Sequence, residues 1–225
     1  MRHIINDRQA LPDEKLLQGF RELLKVYSPS CILADTMERT GVLPSSIRPV
    51  VSGRFVGPAL TVRLDPGDLV DCLDALKVAQ AGDVIIVDAA EETETSIWGG
   101  LMTGLAQKRG VVGAVVNGAV RDVDEVKDLG FPLYARAVTP RSTHSPFSGR
   151  LEPIEVNVDI TVGQVIVRPG DIVLADEVGV VVVPLAKAQD VLAQAQAQAE
   201  KEERTREWIK QDKTVDELLK EFGRL

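Results

Sequence analysis

Gly110-Val111-Val112-Gly113-Ala114-Val115-Val116-Asn117-Gly118-Ala119-Val120-Arg121-Asp122 is the stretch on which the fold turns. Val111 to Val116 is apolar without alternation, the pattern of a strand covered on both faces. Gly118 to Asp122 reads as a glycine-containing turn, and Asp122 to Leu129 as a short helix. Upstream, Val84-Ile85-Ile86-Val87 is a second apolar run, entered through the turn Ala81-Gly82-Asp83. Ile97 to Arg109 fits the helix between the two, with Gly110 as its stop. Downstream, Gly130 to Val138 is a third strand. Strand, helix, strand, helix, strand predicts right-handed parallel crossovers and an α/β fold.

Farther out the pattern changes. Leu16, Leu17, Phe20, Leu23 and Leu24 recur at helical spacing within Lys15 to Val26, with Asp13 as cap, and a second helix fits Ser30 to Arg39. Phe55 to Leu64 is β-rich with an interruption at Gly57-Pro58. Asp65-Pro66-Gly67-Asp68 is a turn, and Leu69 to Gln80 fits an amphipathic helix. Beyond the third strand, Thr139 to Arg150 is a polar loop. Ile154 to Ile160, Val165 to Arg168, Ile172 to Ala175 and Val178 to Val183 then read as a meander of short strands. Ala81 to Asp88 is similar to Pro169 to Asp176, which we read as two uses of one turn-plus-strand solution. Pro184 opens a long helix over Ala186 to Lys210, whose apolar stripe of Ala188, Val191, Leu192, Ala195 and Ala199 gives way to charge before Trp208 and Ile209. Thr214 to Phe222 fits a short amphipathic helix. The expected organisation is an α/β domain over residues 1–185 and a C-terminal helical extension over 186–225 that touches another subunit.

The chain has 225 residues, enough for one well-filled core, and with only 4% aromatics that core must be built from Val, Leu, Ile and Ala. A net charge of −8 repels phosphate backbones, so no nucleic-acid partner is expected. A local cationic pocket for a small anion stays open. Cys31 and Cys72 belong to no CxxC or Cys/His cluster and read as reduced thiols. Met1 to Leu11 has no apolar signal region, and no apolar run reaches the length of a membrane span. A cytoplasmic protein without membrane attachment is expected.

Arg121 and Asp122 follow a buried strand, where ligands of open α/β sheets bind. An Arg fork holds a carboxylate through two hydrogen bonds, and an Asp oxygen holds a hard cation. Adjacent Arg and Asp are ordinarily solvated charges, so spacing alone leaves both readings open. Trp98-Gly99-Gly100-Leu101-Met102 enters a helix whose first N–H groups attract anions. Glu91, Glu92 and Glu94 precede it and read equally as a solvated acidic loop. Lys77 and Lys108 fall on helices and read as surface charges, which argues against a Schiff base. His144 lies in a polar loop, and Asp124 diverges from Asp122 at i+2.

Several stretches resemble the RraA-like family, which includes 4-hydroxy-4-methyl-2-oxoglutarate/4-carboxy-4-hydroxy-2-oxoadipate aldolases and the RraA regulators of ribonuclease E. They are Gly57 to Val62, Gly82-Asp83-Val84, Trp98 to Met102, Gly110 to Asp124, Pro169 to Val173 and Gly179 to Pro184. The resemblance covers Ser30 to Leu185 and is most specific in the glycine-rich strand before Arg121-Asp122. It implies a swivelling β/β/α layered fold, assembly as a homotrimer or homohexamer, and a site between subunits. It further implies a lyase that binds the carboxylate of a small 2-oxo acid through Arg121 and Mg²⁺ or Mn²⁺ through Asp122. Gly99, Gly100, Leu101 and Met102 would contact the pyruvate moiety, partly through backbone amides. The aldolases carry an acidic residue where this chain has Gly100, so Glu91, Glu92, Glu94 or a neighbouring subunit would have to supply a carboxylate. Aldol cleavage needs a base for the substrate hydroxyl and decarboxylation of oxaloacetate does not. The glycine should therefore hurt the first more than the second. The resemblance also admits a non-catalytic regulator that docks on a protein partner. No adenosylmethionine-type glycine loop is visible, which argues against methyl transfer.

Overall fold

The computed structural model describes residues 3–8, 10–65, 72–143 and 154–223. In chain order these form β1 (Ile4–Ile5), α1 (Glu14–Leu23), α2 (Pro29–Thr36), β2 (Arg48–Val51), β3 (Phe55–Leu64), α3 (Leu73–Val78), β4 (Val84–Asp88), β5 (Ser96–Trp98), α4 (Gly100–Lys108) and β6 (Gly113–Val120). There follow α5 (Val123–Asp128), β7 (Leu133–Val138), β8 (Ile154–Val156), β9 (Ile160–Val162), β10 (Val165–Val167), β11 (Ile172–Ala175), β12 (Val180–Val183), α6 (Ala188–Lys210) and α7 (Val215–Phe222).

The apolar runs pair as parallel neighbours, β3 with β4, β4 with β6 and β6 with β7. β2 closes one side against β7 antiparallel, and β8 lies antiparallel to β3 with β1 beyond it. Ile85, Val87, Ala114 and Val116 face the helices on one side of the sheet. Val84, Ile86 and Val115 face a second β layer that contains Ile160, Val167, Val173 and Val182. Each fully buried Val or Ile stabilises the fold by about 1.5–3 kcal/mol, far more than any local conformational preference, so burial on both faces sets the register. The result is the expected α/β layering, with the long helix α6 at its C-terminal side.

Several sequence readings change. β3 runs without a break through Gly57-Pro58: its first half pairs with β11 and its second half with β4, so one strand serves both β layers. The turn expected over Gly118 to Asp122 is strand as far as Val120, because β5 and β7 supply pairing partners there, and the chain turns only at Asp122. Ile97 and Trp98 consequently belong to β5, and α4 starts only at Gly100. The meander separates: β9 and β10 form their own hairpin, whereas β11 and β12 join β3. Of the helix expected over Leu69 to Gln80, residues 69–71 lie outside the described residues, as do most of the Asp65 to Asp68 turn and His144.

The two similar turn-plus-strand segments share one turn. Gly82 and Gly170 both have φ +90°, and the following Asp83 and Asp171 carboxylates accept the N–H of Gln80 and Arg168 at 2.7 and 2.8 Å. Burial pushes the Asp171 carboxyl above its ordinary value, and the backbone N–H groups of Arg168 and Leu185 oppose the shift. Asp83 is also gripped by both terminal nitrogens of Arg8, at 2.6 and 3.0 Å, which ties the N-terminal segment to the sheet.

The first half of α6 packs Ala188, Val191, Leu192 and Ala195 against Leu16, Phe20, Ile32 and Leu33 of α1 and α2. Farther along, the Trp208 ring meets Phe222 of α7 edge-on at 5.2 Å, so part of the late apolar patch is covered by the same chain. No helix among the described residues is long and apolar enough to cross a membrane.

Candidate active site

β6 delivers Arg121 and Asp122 to the carboxyl end of the parallel sheet. The Arg121 N–H donates to Trp98 O at 2.9 Å, which locks the end of β6 to β5. Asp122 then adopts φ +53°, ψ +43°. This left-handed conformation is uncommon outside glycine, although Asp is among the residues that tolerate it. It reverses the chain into α5.

Asp122 stands at the N-cap of α5 without capping that helix. Its Oδ2 accepts the N–H of Gly100, the first residue of α4, at 3.1 Å. One carboxylate oxygen thus satisfies a donor that the first helical turn leaves without a backbone partner. The amides of Leu101 and Met102 follow in the same turn. A buried clamp fixes that turn from beneath: Trp98 Nε1 donates to Thr103 Oγ1 at 2.9 Å, and the Thr103 hydroxyl donates to Gly99 O at 2.9 Å.

Side chains approach both glycines closely. A Cβ on Gly99 would collide with Asp122 Oδ2 and stand 3.1 Å from Arg121 Cγ. A Cβ on Gly100 would fall on the carboxylate of Glu125. Among the described residues, Glu125 is thus the carboxylate that stands at Gly100. Glu91, one of those considered, pairs with Arg136 at 2.6 Å, and Glu92 accepts the N–H of Glu94 at 2.6 Å. Glu125 was missed, because only the packing of α5 against α4 brings its carboxylate over Gly100.

Arg121 and Asp122 have side chains 42% and 41% exposed, with Arg121 Nε 3.5 Å from Asp122 Oδ2. That ion pair is the only polar side-chain contact recorded for the Arg121 guanidinium among the described residues. The Leu101 side chain is 79% exposed beside the glycine pair, whereas Met102 is buried in the core and can offer only its backbone. Arg121, Asp122, Gly99, Gly100 and Leu101 thus converge on one corner. Lys77 and Lys108 sit on α3 and α4, away from the strand ends, and Asp124 is an exposed first-turn charge of α5.

A second polar group lies at the ends of the same strands, on the opposite face. Asn117 Nδ2 donates to Asp88 Oδ1 at 2.9 Å, and Arg136 donates to Asn117 Oδ1, the Ser46 hydroxyl and Glu91. Its donors and acceptors are matched to one another.

The described residues contain no group of three His, Cys, Asp or Glu side chains that could cage a metal. Asp122 offers one hydrogen-bonded and one remaining carboxylate oxygen. That donor set suits a hard cation held by a single carboxylate and completed by water, the habit of Mg²⁺, rather than a structural zinc site.

A family model described as RraA-like, Aldolase/RraA, matches residues 30–182. The chain is 36% identical over 180 residues to a protein of Halalkalibacterium halodurans named "Putative 4-hydroxy-4-methyl-2-oxoglutarate aldolase", covering 79% of this chain and 83% of that one. It is 35% identical over 131 residues to a 4-hydroxy-4-methyl-2-oxoglutarate aldolase of Thermus thermophilus, covering 58% and 76%. Among solved structures, Streptomyces coelicolor RraAS2, described as an unusual member of the RNase ES inhibitor RraA protein family, superposes with a TM-score of 0.73 at 28% identity, covering 87% of this chain and 98% of that one.

Proposed function

The chain belongs to the RraA-like family, and from that premise we propose that it is a divalent-metal-dependent carbon–carbon lyase. Its substrate is a small 2-oxo acid, from which it releases pyruvate by retro-aldol cleavage, by decarboxylation of oxaloacetate, or by both. The observation that carries this reading is the open corner itself. A half-exposed guanidinium stands beside a half-exposed carboxylate and the first turn of α4. The aldolase names of the relatives support the same reaction class.

Each part has a chemical task. The Arg121 guanidinium receives the substrate carboxylate and fixes its orientation. The Leu101 and Met102 amides face the same carboxylate or the keto oxygen, aided by the positive end of α4. Asp122 would hold Mg²⁺ or Mn²⁺. When bound, such an ion supplies Lewis-acid stabilisation of the charge that develops on the keto oxygen. Gly99 and Gly100 leave room for the side chains of Asp122, Arg121 and Glu125 to lie close against the first turn of α4. The exposed Leu101 supports a site completed by a second subunit of a homotrimer or homohexamer.

The test is pyruvate release from oxaloacetate and from 4-hydroxy-4-methyl-2-oxoglutarate, with Mg²⁺ or Mn²⁺ and with EDTA. Metal-dependent release by the wild type that disappears in Arg121→Ala and Asp122→Ala supports the reading. Equal activity in both variants and wild type overturns it.

The likeness to RraAS2 favours a second reading, a regulatory protein that binds a ribonuclease or another protein partner. Under it, wild-type protein releases no pyruvate with either metal, and Asp122→Ala leaves partner binding intact.

A further inference from the structure

The geometry points to Glu125 as the proton acceptor of aldol cleavage, with Gly100 as the residue that makes room for it; this rests on the lyase reading above. Retro-aldol cleavage requires a group that takes the proton of the substrate hydroxyl. Among the described residues, the carboxylate that lies over Gly100 is that of Glu125, placed so that any Cβ at residue 100 would overlap it. Asp122 has one oxygen engaged by the Gly100 N–H and is assigned to the metal. Asp124, at i+2 from Asp122, projects elsewhere on the helix. Glu91 is held by Arg136 on the opposite face of the sheet.

An exposed glutamate on a helix is ordinarily a solvated charge. One feature separates Glu125 from that case. The bare backbone of Gly100 lets its carboxylate lie against the first turn of α4, next to the amides that would hold the 2-oxo acid.

The step balances without any further reactant. Glu125 takes the hydroxyl proton as the carbinol carbon becomes a carbonyl. The carbon–carbon bond breaks, and its electron pair stays with the pyruvate fragment as the enolate. The protonated Glu125 returns the proton to the enolate carbon, which yields pyruvate and the starting carboxylate. Decarboxylation of oxaloacetate reaches the same enolate by loss of CO₂ and has no hydroxyl proton to remove.

Glu125→Gln separates the two reactions. Using full-length protein with Mg²⁺, turnover of 4-hydroxy-4-methyl-2-oxoglutarate should fall about 100-fold or more, while oxaloacetate decarboxylation stays within about threefold. Calorimetric titration with oxalate, a stable mimic of the pyruvate enolate, should give unchanged affinity in Glu125→Gln. Equal losses of both reactions, or unaltered aldol cleavage in Glu125→Gln, would overturn the assignment. So would a wild type that decarboxylates oxaloacetate and cleaves no aldol substrate. A wild type that releases pyruvate from neither substrate removes the lyase reading first, and the role of Glu125 with it.

Discussion

Two Arg–Asp pairs in this chain do opposite things. Arg8 and Asp83 are far apart in sequence, 3% and 2% exposed, and joined by two hydrogen bonds. Arg121 and Asp122 are adjacent in sequence, about four-tenths exposed, and touch through a single contact of 3.5 Å. In the first pair each partner answers the charge of the other, so no charge remains for a ligand. In the second, the guanidinium keeps its donors and the carboxylate keeps an oxygen. The Arg136 group at the other face of the same strand ends resembles the first pair, since its guanidinium is occupied by Asn117, Ser46 and Glu91. Position at the carboxyl end of a parallel sheet is thus not enough to make a site. The charges must also be left without full partners.

Substitutions can break this contrast. Arg8→Met should have the largest effect on stability, because it leaves the buried Asp83 carboxylate unpaired. A loss of about 3–5 kcal/mol is expected in denaturant unfolding, with turnover per folded molecule unchanged. Arg121→Met should reverse that pattern. Its pair is exposed, so unfolding should shift by less than about 1 kcal/mol, while kcat/KM for pyruvate release falls about 100- to 1,000-fold. Arg136→Met tests the intermediate case: about 1–2 kcal/mol of stability lost, with activity within a few-fold of wild type. A larger activity loss there would mean that the matched group takes part in the reaction.

The smallest effect concerns the end of the chain. Glu217 closes a capping box with Thr214, and the Thr214 backbone N–H, then Lys213 and the Thr214 hydroxyl, hold its carboxyl down to about 2. A folded value below the ordinary 4.5 means that this contribution is complete above about 4.5 and is lost as the pH falls toward 2. Amide exchange in α7 should therefore rise over that window while α4 stays protected, and Glu217→Gln should remove the pH dependence.

Much of this was legible in the sequence, for a physical reason. Val84 to Val87 and Val111 to Val116 are apolar on both faces, and only a covered parallel sheet satisfies such strands. Arg121 and Asp122 could be placed at the carboxyl end of a parallel strand, because the apolar run before them fixes where that strand lies. What escaped the sequence depends on contacts between distant segments. β5 is three residues long and exists because β6 has a free edge beside it. Asp122 caps α4 rather than its own helix, a bond across 22 residues that no local spacing announces. Gly100 read as a missing acid until Glu125 was found lying over it, and only the packing of α5 against α4 brings the two together. The route of β3 through both β layers was hidden for the same reason, since Gly57-Pro58 carries the local signature of a break.

The central claim is that the incompletely paired Arg121–Asp122 corner holds a metal and a 2-oxo carboxylate together. Calorimetric titration of oxalate with and without Mg²⁺ tests it directly, in wild type and in Asp122→Asn, a change that removes the charge and keeps a residue tolerant of left-handed backbone. The account predicts oxalate binding by the wild type that requires Mg²⁺ and disappears in Asp122→Asn, with unfolding unchanged. Oxalate binding of equal strength without metal, or in Asp122→Asn, would contradict it.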